Sequence, residues 1–169
     1  MSPFDQSPFL VIWELTQACD LVCRHCRACA APQRDPRELT LEEGKHLLDE
    51  VKAMGAPVVV FTGGDPAKRP DLLDLVGHGS SIGLHVAMTP SATPLVTAKL
   101  LQELRSAGLA RLAVSLDGVS RRAHDGFRGV EGSFDRTFDI LRTAREIGRF
   151  FQGVDLWLQL RERSVLGQS

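Results

Sequence analysis

The sequence lacks the features that mark a nucleic-acid-binding, membrane-spanning or exported protein. Its 20 Lys and Arg balance 21 Asp and Glu, giving a formal net charge of −1, so electrostatics predicts neither nucleic acid nor an anionic membrane surface as a partner. The longest apolar runs, such as residues 9–13, fall far short of the roughly 20 residues that a membrane helix needs. The first residues contain no basic segment leading into an apolar run, so no signal peptide is predicted. We therefore expect a cytoplasmic protein.

Disorder is also excluded by composition. Hydrophobic residues make up 43% of the 169 residues and charged residues 24%, which is typical of a globular protein. A chain of this length is predicted to form one domain with a buried core.

Cysteine is scarce and unevenly placed. The chain has 4 cysteines, all between Cys19 and Cys29. A disulfide framework would spread them along the chain to close long loops, and a reducing compartment disfavours disulfides. Such a cluster of thiols therefore indicates a metal site or a redox site.

Short apolar runs alternate with helical patterns from residue 9 onward. The runs at residues 9–13, 58–61, 84–88 and 112–116 are typical of parallel strands buried on both faces. This βα rhythm predicts an α/β fold built from (βα) units, and by itself leaves open whether they form a barrel or an open sheet.

Local signals indicate where the intervening helices begin and end. Thr40 and Glu43 form a capping-box pattern, Pro94 suits a first helical position, and Ser133 can cap a third helix. Glycines stand where each helix is expected to end, at Gly55, Gly83, Gly108 and Gly148. After Gly148 the pattern breaks: alternating apolar residues predict a possible fifth strand, but no helix follows. Those residues are Val154, Leu156, Leu158 and Leu160.

The cysteines form a C-x3-C-x2-C motif, Cys19, Cys23 and Cys26, in the loop after the first strand. Thiolates are the usual ligands of iron–sulfur clusters, whereas zinc sites prefer two separated ligand pairs, and no second pair follows. Three thiolates on a four-iron cube would leave one iron open. If Cys29 served as a fourth ligand, the centre would be closed and suited to electron transfer. Two nearby arginines, Arg24 and Arg27, would favour the thiolate form.

Polar residues and glycines follow the other predicted strands. The second strand runs into Gly63, Gly64 and Asp65, and the fourth ends with Ser115 and Asp117. Each segment is also compatible with an ordinary turn. Their shared position at the carboxyl ends of strands is where α/β proteins bind ligands.

Together these motifs resemble the radical S-adenosylmethionine (radical SAM) superfamily over residues 9–148. The similarity is greatest to the branch whose members often carry a C-terminal SPASM domain, which includes peptide maturases and relatives in haem biosynthesis. The resemblance implies part of a radical SAM partial TIM-like barrel, truncated after four to five strands. We expect residues 1–148 to be the N-terminal part of this core. Residues 149–169 would be a divergent tail: a possible fifth strand, or the product of truncation or a frameshift.

The resemblance also implies a site. Cys19, Cys23 and Cys26 would bind a [4Fe–4S] cluster whose open iron takes S-adenosylmethionine. The cofactor-binding residues that the resemblance implies fall into three groups. His25 would be the aromatic neighbour of the cluster, and Ser115 and Asp117 would face the ribose or methionyl end of S-adenosylmethionine. The segment that holds the methionyl amine would be Gly63, Gly64, Asp65 and Pro66. No residue is assigned as catalytic.

The function implied is that of an oxidoreductase. Reductive cleavage of S-adenosylmethionine would give a 5′-deoxyadenosyl radical that abstracts hydrogen from a peptide or tetrapyrrole-type substrate, with a flavodoxin or ferredoxin as reductant. An alternative is a non-catalytic iron–sulfur protein for electron transfer or sensing that uses all four cysteines. A third hypothesis is a zinc-stabilised scaffold.

Overall fold

A computed structural model describes residues 7–24 and 26–147, and the backbone of residues 153–158. Strands and helices alternate along most of the chain. The strands are β1 (Leu10–Thr16), β2 (Val58–Gly63), β3 (His85–Met88), β4 (Arg111–Leu116) and β5 (Gly153–Leu158). The helices are α1 (Leu41–Ala53), α2 (Leu72–Ser81), α3 (Ala98–Ser106), α4 (Arg121–Arg128) and α5 (Ser133–Ile147). Among the described residues, no helix has the length and apolar character needed to cross a membrane.

The five strands form one parallel sheet in the order β1-β2-β3-β4-β5. Each connection therefore returns the chain to the adjacent strand, and the order never reverses as it does in a doubly wound sheet. A sequential parallel order is that of a (βα) barrel. The predicted fold class of (βα) units in part of a barrel is confirmed.

One face of the sheet packs against the helices and forms the core. Phe61, Met88 and Leu112 on the strands are fully buried, as are Leu48 and Leu104 on the helices. Burying each such side chain contributes about 1.5–3 kcal/mol. The other face of β1 is open, and its Ile12 is 60% exposed.

Helix starts agree with the sequence in one case and differ in two. Thr40 and Glu43 form the predicted capping box at α1. The prediction for Pro94 was wrong: α3 begins at Ala98, where Thr97 accepts a hydrogen bond from the Leu100 amide. Ser133 is likewise not the cap of α5.

The start of α5 is capped by Asp125, a residue of α4. The Asp125 carboxylate accepts hydrogen bonds from the amides of Gly132 and Phe134 at 2.8 and 2.7 Å, and from the Ser133 hydroxyl at 2.9 Å. These bonds lower the pKa of Asp125 against the opposing effect of burial. A side chain from the preceding helix therefore binds the amides of Gly132, just before α5, and of Phe134, in its first turn.

A buried arginine fixes the end of β1, from which the cysteine loop departs. The Arg69 side chain is fully buried and pairs with Asp71 through two nitrogens, at 2.6 and 2.8 Å. It also donates to the carbonyls of Leu15 and Leu39 at 3.3 and 3.1 Å. The end of β1 and the start of α2 are thereby held together.

Part of the tail extends the sheet. Gly153–Leu158 pairs in parallel with Arg111–Leu116, so three positions of the predicted fifth strand, Val154, Leu156 and Leu158, lie in β5. Leu160, Gly148 and residues 159–169 lie outside the described residues. The division of the chain at residue 148 stays a prediction.

Candidate functional site

A cavity of about 240 Å³ opens at the carboxyl ends of the strands. Its wall brings together the three motif cysteines, the two glycines at the end of β2 and two residues with no sequence-based assignment. These residues are Cys19, Cys23, Cys26, Gly63, Gly64, Ser91 and Arg128. A second cavity, of about 340 Å³, shares Glu14 with the first, but only charged and polar side chains line it. Of these two cavities, only the smaller one is lined by cysteines.

Main-chain bonds close the cysteine loop at its base. Ala18 and Ala31 form a parallel bridge, in which the Cys19 amide donates to the Ala31 carbonyl at 2.8 Å and the Ala31 amide donates to the Gln17 carbonyl at 3.0 Å. Cys29, in the same loop, is exposed, has a φ of 48° and does not line the cavity. The loop therefore presents three of its four thiols to one space.

Each of the three motif sulfurs has a nearby donor. The Leu21 amide lies 3.4 Å from the buried Cys19 sulfur. The Ser91 hydroxyl oxygen is 3.3 Å from the same sulfur and donates its proton to the Gly64 carbonyl at 2.8 Å. The Ala30 amide lies 3.5 Å from the Cys26 sulfur. Arg128 Nη1 lies 3.8 Å from the Cys23 sulfur. Burial raises the pKa of Cys23, and the Arg128 charge and hydrogen bond oppose that rise.

These donors suit thiolate ligands of a cluster. Within the described part of the chain, no three His, Cys, Asp or Glu side chains converge closely enough for a single metal ion. In a four-iron cube each thiolate binds a different iron, so the sulfurs need not meet at one point. Three thiols on one cavity, each near an N–H or O–H group, fit such a cluster.

Gly63 and Gly64 allow two main-chain segments to approach closely. The Gly64 and Asp65 amides donate to the carbonyls of Thr16 and Ala18, both at 2.7 Å. A Cβ on Gly63, whose φ is 130°, would lie 2.4 Å from the Thr16 carbonyl oxygen, and one on Gly64 would lie 2.4 Å from that of Ala18. The glycines thus join the turn after β2 to the end of β1 and also line the cavity.

The Asp65 side chain does not line the cavity. It is 0% exposed and accepts hydrogen bonds from the Thr93 hydroxyl at 2.6 Å, the Ala67 amide at 3.1 Å and the Ser91 amide at 3.4 Å. Burial raises its pKa, and these bonds oppose the rise. Pro66 is buried as the first residue of a short 3-10 turn, Pro66–Lys68. The contact of either residue with a cofactor therefore stays a prediction, and the structure gives the carboxylate a different set of partners.

Asp117 pairs with a cation that does reach the cavity. Its side chain is 0% exposed, and one oxygen lies 2.5 Å from Arg128 Nε. The other oxygen has no hydrogen-bond partner among the described residues. Ser115 is half-buried and is not among the residues lining the cavity. Contacts of Ser115 and Asp117 with a cofactor remain predictions, and His25 lies outside the described residues.

His124 is buried behind this turn. Its Nδ1 accepts a hydrogen bond from the Asp117 amide at 3.1 Å. Burial lowers the pKa of His124, and the nearby Arg128 charge lowers it further. The ring therefore packs as a neutral group, against Phe134.

Sequence reasoning missed two residues of the cavity wall. Neither Ser91 nor Arg128 is singled out by a motif in the sequence, yet both line the cavity. Of the two arginines expected to favour thiolates, Arg24 and Arg27, Arg27 lines the cavity and pairs there with Glu14 at 2.5 Å, and their effect on the thiols stays a prediction. The cation beside Cys23 is Arg128, 105 positions away along the chain.

Comparison with known proteins gives consistent matches. The family described as the Radical SAM superfamily matches residues 13–156. The chain is 40% identical over 147 residues to an AdoMet-dependent heme synthase of Methanosarcina barkeri, covering 85% of this chain and 42% of that protein. It is 34% identical over 140 residues to a PqqA peptide cyclase of Bradyrhizobium diazoefficiens, covering 83% and 37%. The chain thus spans less than half the length of these relatives.

Among solved structures, Streptococcus suis SuiB bound to S-adenosylmethionine superposes with a TM-score of 0.75. The match covers 89% of this chain and 34% of SuiB at 18% identity. At that identity the likeness concerns the fold.

Proposed function

The chain belongs to the radical SAM superfamily, and we propose that Cys19, Cys23 and Cys26 hold a [4Fe–4S] cluster whose fourth iron binds S-adenosylmethionine. The superfamily uses both cofactors. The observation that carries the proposal is that these three thiols line one cavity while Cys29, in the same loop, does not. A protein ligand on three irons leaves the fourth available to a small molecule.

In this proposal the chain's own residues bind the two cofactors and position them. When bound, the two cofactors supply the reductive cleavage of S-adenosylmethionine and hydrogen abstraction from a substrate. The three thiolates anchor the cluster, and the Arg128 guanidinium, whose side chain is 13% exposed, offsets part of their negative charge. Gly63 and Gly64 present main chain rather than side chains at the wall, so a ligand can approach it closely.

The substrate is proposed at the level of a class. The relatives include a haem synthase and a peptide cyclase, so we infer a tetrapyrrole-type or peptide substrate. The electron would come from a flavodoxin- or ferredoxin-type reductant. Both inferences concern the activity of a protein as long as those relatives, of which this chain spans less than half.

Anaerobic reconstitution with iron and sulfide tests the proposal. Cys23→Ala is expected to lose most of the bound iron, whereas Cys29→Ala, a matched change in the same loop, is expected to retain it. Adding S-adenosylmethionine to the reduced protein should change the electron paramagnetic resonance spectrum of the wild type and of Cys29→Ala alike.

Two outcomes would contradict this function. Loss of the cluster in Cys29→Ala would mean a closed, four-cysteine centre and would favour electron transfer or sensing. A colourless protein with stoichiometric zinc would favour the scaffold hypothesis. Cys26 lines the cavity and Cys29 does not, although both are exposed, and this difference favours the open site over the closed one.

A further inference from the structure

We propose that the C-terminal end of α4 is a positioning element for Cys23, which it holds in place before any cluster binds. The inference rests on the proposed function only in taking Cys23 as an iron ligand. Two separate contacts carry it: main-chain bonds on both sides of Cys23, and a side-chain contact to its sulfur.

The main-chain contact involves the last carbonyls of the helix. The Val22 amide donates to the Arg128 carbonyl at 3.1 Å, and the Arg24 amide donates to the Phe127 carbonyl at 3.0 Å. The two donors are the residues immediately before and after Cys23. Carbonyls at a helix C-terminus lack partners within the helix, so the loop satisfies groups that the helix cannot.

Gly129 permits this approach. It ends α4 in the left-handed region with a φ of 72°, and a Cβ added there would lie 2.6 Å from the Val22 carbonyl oxygen. Any other residue would meet both backbone strain and a main-chain clash at this point. The glycine is therefore required by the loop as well as by the helix end.

The side-chain contact comes from Arg128. Its Nη1 lies 3.8 Å from the Cys23 sulfur, and its Nε is held by the buried Asp117 carboxylate. The Asp117 carboxylate therefore fixes the orientation of the guanidinium beside the Cys23 sulfur. Hydrogen bonds to cluster sulfurs and nearby positive charge favour the reduced, more negative state of a cluster.

The helix itself is anchored on two sides, so it can serve as a reference for the loop. The Asp117 amide after β4 donates to His124 Nδ1 at 3.1 Å, and the Asp125 carboxylate binds the amides of Gly132 and Phe134 at the start of α5. Both anchors are independent of the cysteine loop. Holding a ligand residue in place beforehand reduces the ordering that binding requires.

Amide hydrogen exchange of the 169-residue chain without iron tests the main-chain hold. The Val22 and Arg24 amides are expected to exchange slowly in the wild type and at least about tenfold faster in Gly129→Ala, because strain and the clash weaken the contact. Arg122→Gln, an exposed change in the same helix, should leave both amides unchanged. Rapid exchange in the wild type, or unchanged protection in Gly129→Ala, would overturn this half of the proposal.

Potentiometric titration of the reconstituted cluster, without S-adenosylmethionine, tests the side-chain contact. In Arg128→Gln we expect the reduced-to-oxidised ratio at a fixed potential to fall about tenfold, equivalent to about 59 mV. Arg128→Lys should fall between Arg128→Gln and wild type, and Arg122→Gln should match wild type. Arg128→Gln leaves the Asp117 carboxylate buried without a cation. The double variant Asp117→Asn/Arg128→Gln removes that carboxylate charge as well, and its potential is measured in the same titration.

The two proposals fail in different ways. An unchanged potential in both Arg128 variants would overturn the side-chain contact while leaving the cluster site intact. A wild-type chain that binds no cluster would overturn the proposed function, and the exchange rates of the iron-free chain would still decide whether α4 holds the loop.

Discussion

The turns after β2 and after β4 each contain an aspartate with a buried side chain, and the two side chains have different kinds of partner. Asp65 and Asp117 both follow the carboxyl end of a strand, and both side chains are 0% exposed. Asp65 binds three neutral donors from neighbouring turns. Asp117 binds Arg128, a cation at the cavity wall. The position alone therefore does not decide whether such an acid braces the fold or serves the site.

The partners of each acid explain the difference. Neutral donors stabilise a buried carboxylate without adding charge, and the result is local: Asp65 joins the turns after β2 and β3. A cationic partner extends the influence of Asp117 to the cavity, because fixing Arg128 also fixes a positive charge beside Cys23. Buried ion pairs are costly to break, since the remaining charge stays uncompensated.

Removing the charge of Asp117 is expected to have the largest effect. Asp117→Asn leaves Arg128 without its carboxylate, which should lower the free energy of unfolding by about 3 kcal/mol, measured by urea denaturation. The double variant Asp117→Asn/Arg128→Met removes the orphaned charge and should recover at least part of the loss. A cost no greater than that of an exposed ion pair, about 0.5 kcal/mol, would break the distinction between the two acids.

Asp65→Asn should cost about 2 kcal/mol, because one amide end cannot accept from the donors that now surround the carboxylate. We expect no change in the iron content or in the spectrum of the reconstituted cluster, since the side chain does not line the cavity. If S-adenosylmethionine no longer altered that spectrum while stability stayed normal, Asp65 would act at the cofactor, as the family resemblance implies.

Thr93→Val sharpens the account of Asp65 by removing one donor of three. The cost is expected to be about 1 kcal/mol, because the Ala67 and Ser91 amides still bind the carboxylate. Thr93→Ser keeps the hydroxyl and serves as the matched control. Because Thr93→Val keeps the methyl group and Thr93→Ser loses it, a cost of Thr93→Val no larger than that of Thr93→Ser would mean that the hydrogen bond to Asp65 contributes no more than packing of the methyl group.

The pH dependence of stability gives the smallest effect and separates Asp65 from the ion-paired acids. Burial raises the pKa of Asp65 above its unfolded value, so its contribution to the free energy of unfolding falls as pH rises from 3.8 through the raised pKa. Asp71, whose pKa is lowered by Arg69, contributes in the opposite sense and loses its contribution as pH falls.

Denaturation at several pH values checks the Asp65 contribution. Asp65→Asn should remove only the component that weakens with rising pH, so the stability difference between wild type and variant should shrink across that interval. A difference that grows with pH would mean that the pKa of Asp65 is lowered rather than raised.

The sequence predicts those parts of the fold that depend on neighbouring residues. Four strands and the capping box of Thr40 and Glu43 follow from local patterns, and the structure confirms them. The C-x3-C-x2-C spacing is also local, and its three thiols do line one cavity. Their role as cluster ligands stays a prediction.

Features that depend on distant residues could not be predicted from the sequence. The start of α5 is capped by Asp125 of another helix, so the prediction of Ser133 as the cap, made from its neighbours in sequence, was wrong. Arg128 lies far from Cys23 along the chain, and neither periodicity nor a motif distinguishes it from Arg24 or Arg27. Only the folded sheet, which brings α4 over the cysteine loop, makes that choice.

The cysteine loop leaves β1 and is bonded to the helix that follows β4, with two strands in between. The curvature of the sheet therefore sets the distance that the loop must span. A substitution in β2 or β3 that flattened the sheet would stretch the bonds beside Cys23 without touching the cavity. The spacing of the sulfurs therefore depends on the bend of the barrel wall, and packing mutations far from the cavity should change the positions of the thiols.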